Sequence, residues 1–246
     1  MRVRMCVILV LAVCGAATNA AAQTTGPCLK PWAIPDKWTD NHDDSADRNW
    51  TEDDTFDTVD SDGNPLSDAD VYVDPSHPGY TGFTPVRDLG GKITLKIGDP
   101  NDGMKAGWIH AIDLGPSGGG TSEYRTAIAT CQDTSIHFGD ILQPLSGNRA
   151  GATIQGVADL INLDPTAKWD PSSGVVDSCA PSEACGSVSP RIVIVPVFDP
   201  AYFEAAVNYS GQPDLKVINI LYLFIDGVVG GNITAYITTP TGVNHP

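Results

Sequence analysis

The sequence predicts a β-dominated α+β fold: a mainly antiparallel sheet with two or three short helices and long irregular loops. Three observations carry this expectation. Several runs alternate polar and apolar residues at period two or are continuously β-branched, as strands require. Only one stretch, residues 152–163, repeats apolar side chains at helical spacing over three turns. Finally, 25 glycines and 19 prolines in 246 residues interrupt the chain too often for long regular elements.

The N-terminus reads as an export signal. Arg2 and Arg4 precede the apolar residues 6–13, and Ala20, Ala21 and Ala22 precede the polar Gln23, the order a signal peptidase reads. Residues 1–22 are therefore expected to be cleaved. Residues 23–246 are expected to form a single extracytoplasmic domain in the periplasm, at the cell surface or secreted. Cys14, after Leu11, Ala12 and Val13, offers a lipobox-like alternative. No later run is long and apolar enough to span a bilayer, since Asn219 and Asp226 interrupt residues 217–229.

Removing the signal leaves 12 basic and 30 acidic residues, a formal charge of 12 − 30 = −18. That balance argues against a nucleic-acid partner, which needs a basic patch. Four cysteines remain: Cys28, Cys131, Cys179 and Cys185. An even count in an oxidising compartment predicts two disulfides with three connectivities open. The small and polar residues between Cys179 and Cys185 favour a local bridge, which leaves Cys28 for Cys131. A zinc site is the rival reading, without CxxC spacing or nearby histidines.

Residues 40–74 hold thirteen acidic residues against the single basic Arg48. Trp38, Trp50, Phe56 and Tyr72 are interspersed, which predicts an ordered but irregular segment lying on the rest of the domain. Asp57, Asp60 and Asp62, followed by Gly63 and Asn64, are candidate calcium ligands. The EF-hand spacing fails, and a solvated acidic loop is the plainer reading.

Next, residues 92–97 alternate as a half-buried strand, and a turn at residues 99–103 leads to residues 108–114, predicting an antiparallel hairpin. Thr121 is a candidate cap for a short helix toward Cys131. Residues 152–163 form the best helix, stopped by Asp164-Pro165. Residues 170–190 read as a surface excursion. Residues 191–198 form an apolar strand with Pro196 at a bulge or edge. Asp199-Pro200 is an N-cap and first-turn proline for another short helix. Residues 215–225 and 232–239 form a hairpin around residues 227–231.

Catalytic signals are sparse. Gly115-Pro116-Ser117-Gly118-Gly119 matches G-x-S-x-G formally, making Ser117 the nucleophile of an alternative hydrolase reading, but Pro116 and the glycine run do not fit a nucleophile elbow. His42, His77, His110, His137 and His245 are scattered without metal-ligand spacing. Trp32, Trp38, Trp50 and Trp108 suit domain packing or, alternatively, a carbohydrate platform. No phosphate-binding glycine motif is present.

The segments Pro31-Trp32-Ala33-Ile34-Pro35-Asp36-Lys37-Trp38, Asp53-Asp54-Thr55-Phe56-Asp57, Ile93-Thr94-Leu95-Lys96-Ile97-Gly98, Gly156-Val157-Ala158-Asp159-Leu160-Ile161 and Arg191-Ile192-Val193-Ile194-Val195-Pro196-Val197-Phe198-Asp199-Pro200 together resemble the C-terminal extracytoplasmic region of TadG-like proteins of the Tad, or Flp, tight-adherence pilus system. The resemblance implies a non-enzymatic, envelope-associated component acting on protein partners in pilus assembly or adhesion. It supplies no catalytic residue and no cofactor. One departure stands out: TadG-like proteins usually begin with a retained transmembrane segment, whereas a cleaved signal is expected here.

Overall fold

The computed structural model describes residues 27–42, 54–97, 104–114, 120–132, 134–180, 185–207 and 213–243. Its strands are β1 (Cys28–Leu29), β2 (Trp32–Pro35), β3 (Lys92–Ile97), β4 (Trp108–Ala111), β5 (Ile141–Leu142), β6 (Lys168–Asp170), β7 (Gly174–Val176), β8 (Ile192–Phe198), β9 (Leu215–Val229) and β10 (Asn232–Thr238). The helices are α1 (Pro85–Asp88), α2 (Thr121–Ala129), α3 (Ala150–Asn162) and α4 (Pro200–Val207). None of them is long and apolar enough to cross a membrane among the described residues. The expected signal, residues 1–22, lies outside these residues.

Eight strands form one sheet in the order β1-β8-β2-β4-β3-β10-β9-β5. Because β8 also pairs with β9, six of them close into a barrel. The β-dominated α+β class is therefore observed, but the expectation of a mainly antiparallel sheet needs correction. Three of the eight pairings, β1–β8, β2–β8 and β3–β4, are parallel. β3 and β4 were expected as an antiparallel hairpin; Lys96 instead pairs with Trp108 in parallel register. Alternation reports which face of a strand is buried, not the direction of its neighbour.

The β9–β10 hairpin follows its sequence signal. Gly230 and Gly231 both adopt positive φ at the turn, the geometry a tight two-residue hairpin needs. Long β9 pairs with β10 at one end, with β8 along its middle, and with β5 near its start.

Pro196 was expected at a bulge or edge; β8 is an interior strand, and its register against β9 shifts beside this proline, between Val197 and Phe198. The positions of β8 that face β1 and β2 alternate with those that face β9: Ile194 O accepts from Lys30 N and Phe198 O from Asp36 N. Pro196 lies between them, opposite the break between β1 and β2. The missing N–H thus falls where no ladder partner calls for it.

Alternate residues of the closed sheet, including Ile34, Leu95, Val195, Leu223 and Ile233, share one core with Tyr124 and Ile128 of α2 and Val157 and Leu160 of α3. A second core lies on the other face, where Trp38, Phe56, Met104, Phe198, Phe203 and Val217 meet. A smaller third core forms where Trp169 of the β6–β7 hairpin stacks on Tyr236 at 4.8 Å, so the expected surface excursion includes a packed hairpin.

Both disulfides pair as expected, Cys28 with Cys131 and Cys179 with Cys185, with Cα–Cα distances of 4.8 and 5.7 Å. Asp199 caps α4 by accepting from Tyr202 N at 3.0 Å. The cap of α2 lies one residue earlier than expected, at Gly120: Thr121 is the first helical residue, and Glu123 accepts from Gly120 N at 3.0 Å.

Candidate functional site

The acidic segment meets the barrel end through one carboxylate. Asp36 directly follows β2, and its backbone N–H continues the ladder to Phe198 O of β8. In the parallel β2–β8 register Pro35 faces Phe198, so Asp36 and Asp199 leave neighbouring strands at the same end of the barrel. Asp36 is fully buried. Its Oδ1 accepts from Phe83 N at 2.8 Å, and its Oδ2 accepts from the hydroxyls of Tyr80 at 2.6 Å and Tyr72 at 3.2 Å.

Asn219 of β9 completes the cluster by donating to Tyr80 Oη at 3.0 Å and to Phe83 O at 2.8 Å. Gly82 seals it: a Cβ there would overlap the Asp36 carboxylate. Around it stand Lys37 and Arg87, both paired with Asp88 of α1. Arg87 also donates to Gly82 O.

Burial pushes the Asp36 carboxyl up to about 6, against the lowering pull of its Tyr80, Phe83, Lys37 and Tyr72 donors. Burial and the neighbouring Asp36 and Asp199 charges push Tyr72 up as well. A buried acid poised near neutrality, flanked by two tyrosines, is chemistry of a kind that concentrates at functional sites. The same grouping also fastens residues 72–83 to the barrel. Sequence reasoning placed Asp36 inside a family-like segment but gave it no role; its tyrosine partners are 36 and 44 residues away.

A second buried carboxylate, Asp70, organises the acidic segment itself. Its Oδ1 accepts from the backbone of Asn41 and His42 and its Oδ2 from Asp57 N, at 2.9–3.1 Å. Thr39 and Val71 exchange backbone hydrogen bonds alongside, and Trp38 packs edge-on to Phe56 at 5.2 Å. In its described parts the segment is thus irregular and packed on the domain, as expected.

Of the candidate calcium ligands, Asp60 has its carboxylate partners within its own turn. Asp60 accepts from the backbone of Asp62 and Asn64 and from the Asn64 amide, which holds its carboxyl below the usual range. Asp57 lies beside Glu204 of α4, which burial and that charge push upward. Among the described residues Asp57, Asp60 and Asp62 do not gather into a three-carboxylate group. The grouping with metal-like proximity is Asp164 with Cys179 and Cys185. Its sulfurs are spent in the disulfide, and Asp164 accepts from Ser178, Ser189 and Cys179 N.

The remaining candidates separate cleanly. Trp32, Trp38 and Trp108 are buried and serve packing; Trp50, Ser117 and His245 lie outside the described residues. His42, His77 and His137 each pair with a nearby aspartate. His110 lies edge-on to Phe198 and Phe203, and burial pulls it down to about 4. Lys30 is buried, donates to Thr130 O at 2.8 Å beside the Cys131 bridge, and is pulled down to about 7 by that burial.

One surface feature suits contact with another molecule. A turn at residues 137–140 closes by Asp140 N donating to His137 O, and Asp140 Oδ2 accepts from His137 N at 2.7 Å. Backbone bonds from Gly139 N to Val217 O and from Val217 N to Asp140 O fasten the turn to β9. At its tip Phe138 is 70% exposed, and Ile141 of the edge strand β5 is 46% exposed. Compared with family models, with curated proteins and with solved structures, the chain finds no match.

Proposed function

We propose that this chain is a non-enzymatic extracytoplasmic component of Tad/Flp pilus assembly or surface adhesion, acting through protein contacts. The observation that carries the reading is Phe138, an exposed aromatic ring on a turn fixed by backbone hydrogen bonds and continued by Ile141 on a sheet edge. Aromatic anchors held in place before binding lose little conformational entropy on contact, and a short edge strand offers backbone groups to a partner chain. The resemblance of five segments to TadG-like proteins supplies the biological setting. Two disulfides accord with an oxidising compartment.

Immunoblotting of sheared pili, envelope and periplasmic fractions from cells producing the C-terminally tagged protein tests the proposal. Association with fibres or envelope is expected, is lost in a pilus-deficient strain, and drops several-fold in Phe138→Asp with the melting temperature unchanged. A freely soluble pool, indifferent to the pilus mutation, defeats the reading.

A further inference from the structure

The two disulfides differ in how readily they open. Cys28–Cys131 closes 103 residues, and Cys28 is buried. Cys179–Cys185 closes six, and Cys179 is half-buried while Cys185 is buried. A short loop gains the least from its cross-link, and a partly accessible sulfur is open to attack by a thiolate.

Beside the short bridge, just beyond α3, lies Asp164, fully buried. Its Oδ2 accepts from Ser178 Oγ at 2.7 Å and Ser189 Oγ at 2.6 Å, and its Oδ1 from Cys179 N at 3.1 Å. All three donors are neutral. Arg191 is close enough to feel the carboxylate charge, but it directs its N–H groups to the backbone oxygens of Asp164, Ala167, Ile225 and Asp226. Buried charges in proteins are as a rule paired with an opposite charge or bound to a metal, and among the described residues no ion pair reaches this carboxylate.

What Asp164 does face is sulfur. One of its carboxylate oxygens and the sulfurs of Cys179 and Cys185 all lie within 4.8 Å of one another. Both sulfurs also lie against Leu163 O, at 3.8 and 3.4 Å. Tetrahedral zinc, about 2.0–2.3 Å from each ligand, holds its ligands roughly 3.3–3.8 Å apart, so a small movement of the freed sulfurs is enough to surround an ion.

We propose that Asp164, Cys179 and Cys185 form a redox-gated site for a thiophilic divalent cation such as zinc, created when a dithiol opens the short bridge. A thiolate of the dithiol attacks Cys179 Sγ, and the Cys185 sulfur leaves as a thiolate. The second thiol of the reagent then attacks the mixed disulfide, releasing Cys179 as a thiolate and departing as a cyclic disulfide. Two electrons pass to the bridge, and the two protons of the dithiol go to solvent. The cation binds two thiolates and one carboxylate, a donor set that favours zinc over calcium or magnesium. The Ser178 and Ser189 hydroxyls hold the carboxylate in place, as outer partners of metal ligands do. This site is independent of the Phe138 surface, and neither proposal depends on the other.

The test uses the full chain reduced with dithiothreitol, desalted without oxygen and titrated with cobalt(II), a coloured substitute for zinc. Stoichiometric cobalt is expected to produce a thiolate-to-cobalt band in the near ultraviolet and the visible bands of a tetrahedral ion, and zinc to bleach them. The oxidised chain and the reduced Cys179→Ser, Cys185→Ser double variant are expected to show no thiolate band, which separates this pair from Cys28 and Cys131. Ser189→Ala, which keeps all three ligands, is expected to weaken cobalt binding about ten- to hundredfold. Absence of the band in the reduced chain, an equal band in the reduced double variant, or undiminished affinity in Ser189→Ala overturns the proposal.

Discussion

The barrel and the acidic arm that lies on it, residues 54–84, are held by opposite means. The barrel is a ladder of hydrogen bonds around aliphatic side chains such as Val195, Leu223 and Ile233, all without exposure. The arm contains seven aspartates and no lysine or arginine, has no helix and only isolated bridges, and is fixed at two buried carboxylates, Asp36 and Asp70. The difference shows that an acidic, irregular segment can be ordered without a large apolar core of its own when a few carboxylates each satisfy several backbone and hydroxyl donors.

Breaking the long cross-link gives the largest expected effect. The Cys28–Cys131 bridge spans 103 residues, and replacing both cysteines by serine is expected to cost about 4–5 kcal/mol; removing Cys179–Cys185, across six residues, costs about 2 kcal/mol by the same chain-entropy relation. Denaturant unfolding of both variants measures the contrast, and equal losses refute the loop-length account.

Inside the barrel, Leu223→Ala is expected to cost about 2–5 kcal/mol, because it leaves a cavity in a closed sheet that cannot collapse onto it. The loss should appear as a lower midpoint of the single global transition. In the arm, Asp70→Ala strands three backbone N–H groups and is expected to cost about 1–3 kcal/mol. Hydrogen exchange locates that loss: amides of Asn41, His42 and Asp57 should exchange faster while those of β8 and β9 stay protected. Uniform deprotection would mean that arm and barrel unfold as one unit.

The pH dependence sharpens the comparison further. Folding raises the Asp36 pKa from 3.8 to about 6, so the folded state binds this proton more tightly than the unfolded chain. The contribution of Asp36 therefore favours the folded state most below about pH 4 and is lost as pH rises through about 6, a loss of about 2–3 kcal/mol. The difference in stability between wild type and Asp36→Asn, followed from pH 4 to pH 7, should change by that amount; a constant difference excludes the carboxyl as the source. The smallest effect belongs to Tyr72→Phe, which removes the 3.2 Å bond to Asp36 and is expected to cost about 0.5–1.5 kcal/mol.

Legibility in the sequence followed the range of the interactions. The strand over residues 92–97, the helix beginning at Pro200, the β9–β10 hairpin and the two disulfides were readable, because each rests on near-neighbour patterns or on cysteine counting. The direction of β4 relative to β3 was not, since either orientation buries the same alternate residues. Pro196 signalled the register shift beside it but not that β8 is interior: proline reports a missing donor, whereas the break between β1 and β2 that makes this harmless belongs to other strands. Asp36, Tyr72, Tyr80 and Asn219 looked like unrelated polar residues spread over 184 positions (219 − 36 + 1), and nothing local distinguishes them.

By itself, then, the sequence determined the longer strands β3, β8, β9 and β10 and the helices α2, α3 and α4, which cysteines join, and that the chain carries a strong negative charge. These are properties of composition and of spacing within one element. Only the tertiary structure decided that the sheet closes into a barrel with parallel pairings and that Asp36 becomes the buried fastening of the arm. Each of these depends on groups far apart in the chain, whose desolvation and hydrogen bonding exist only once the fold has brought them together.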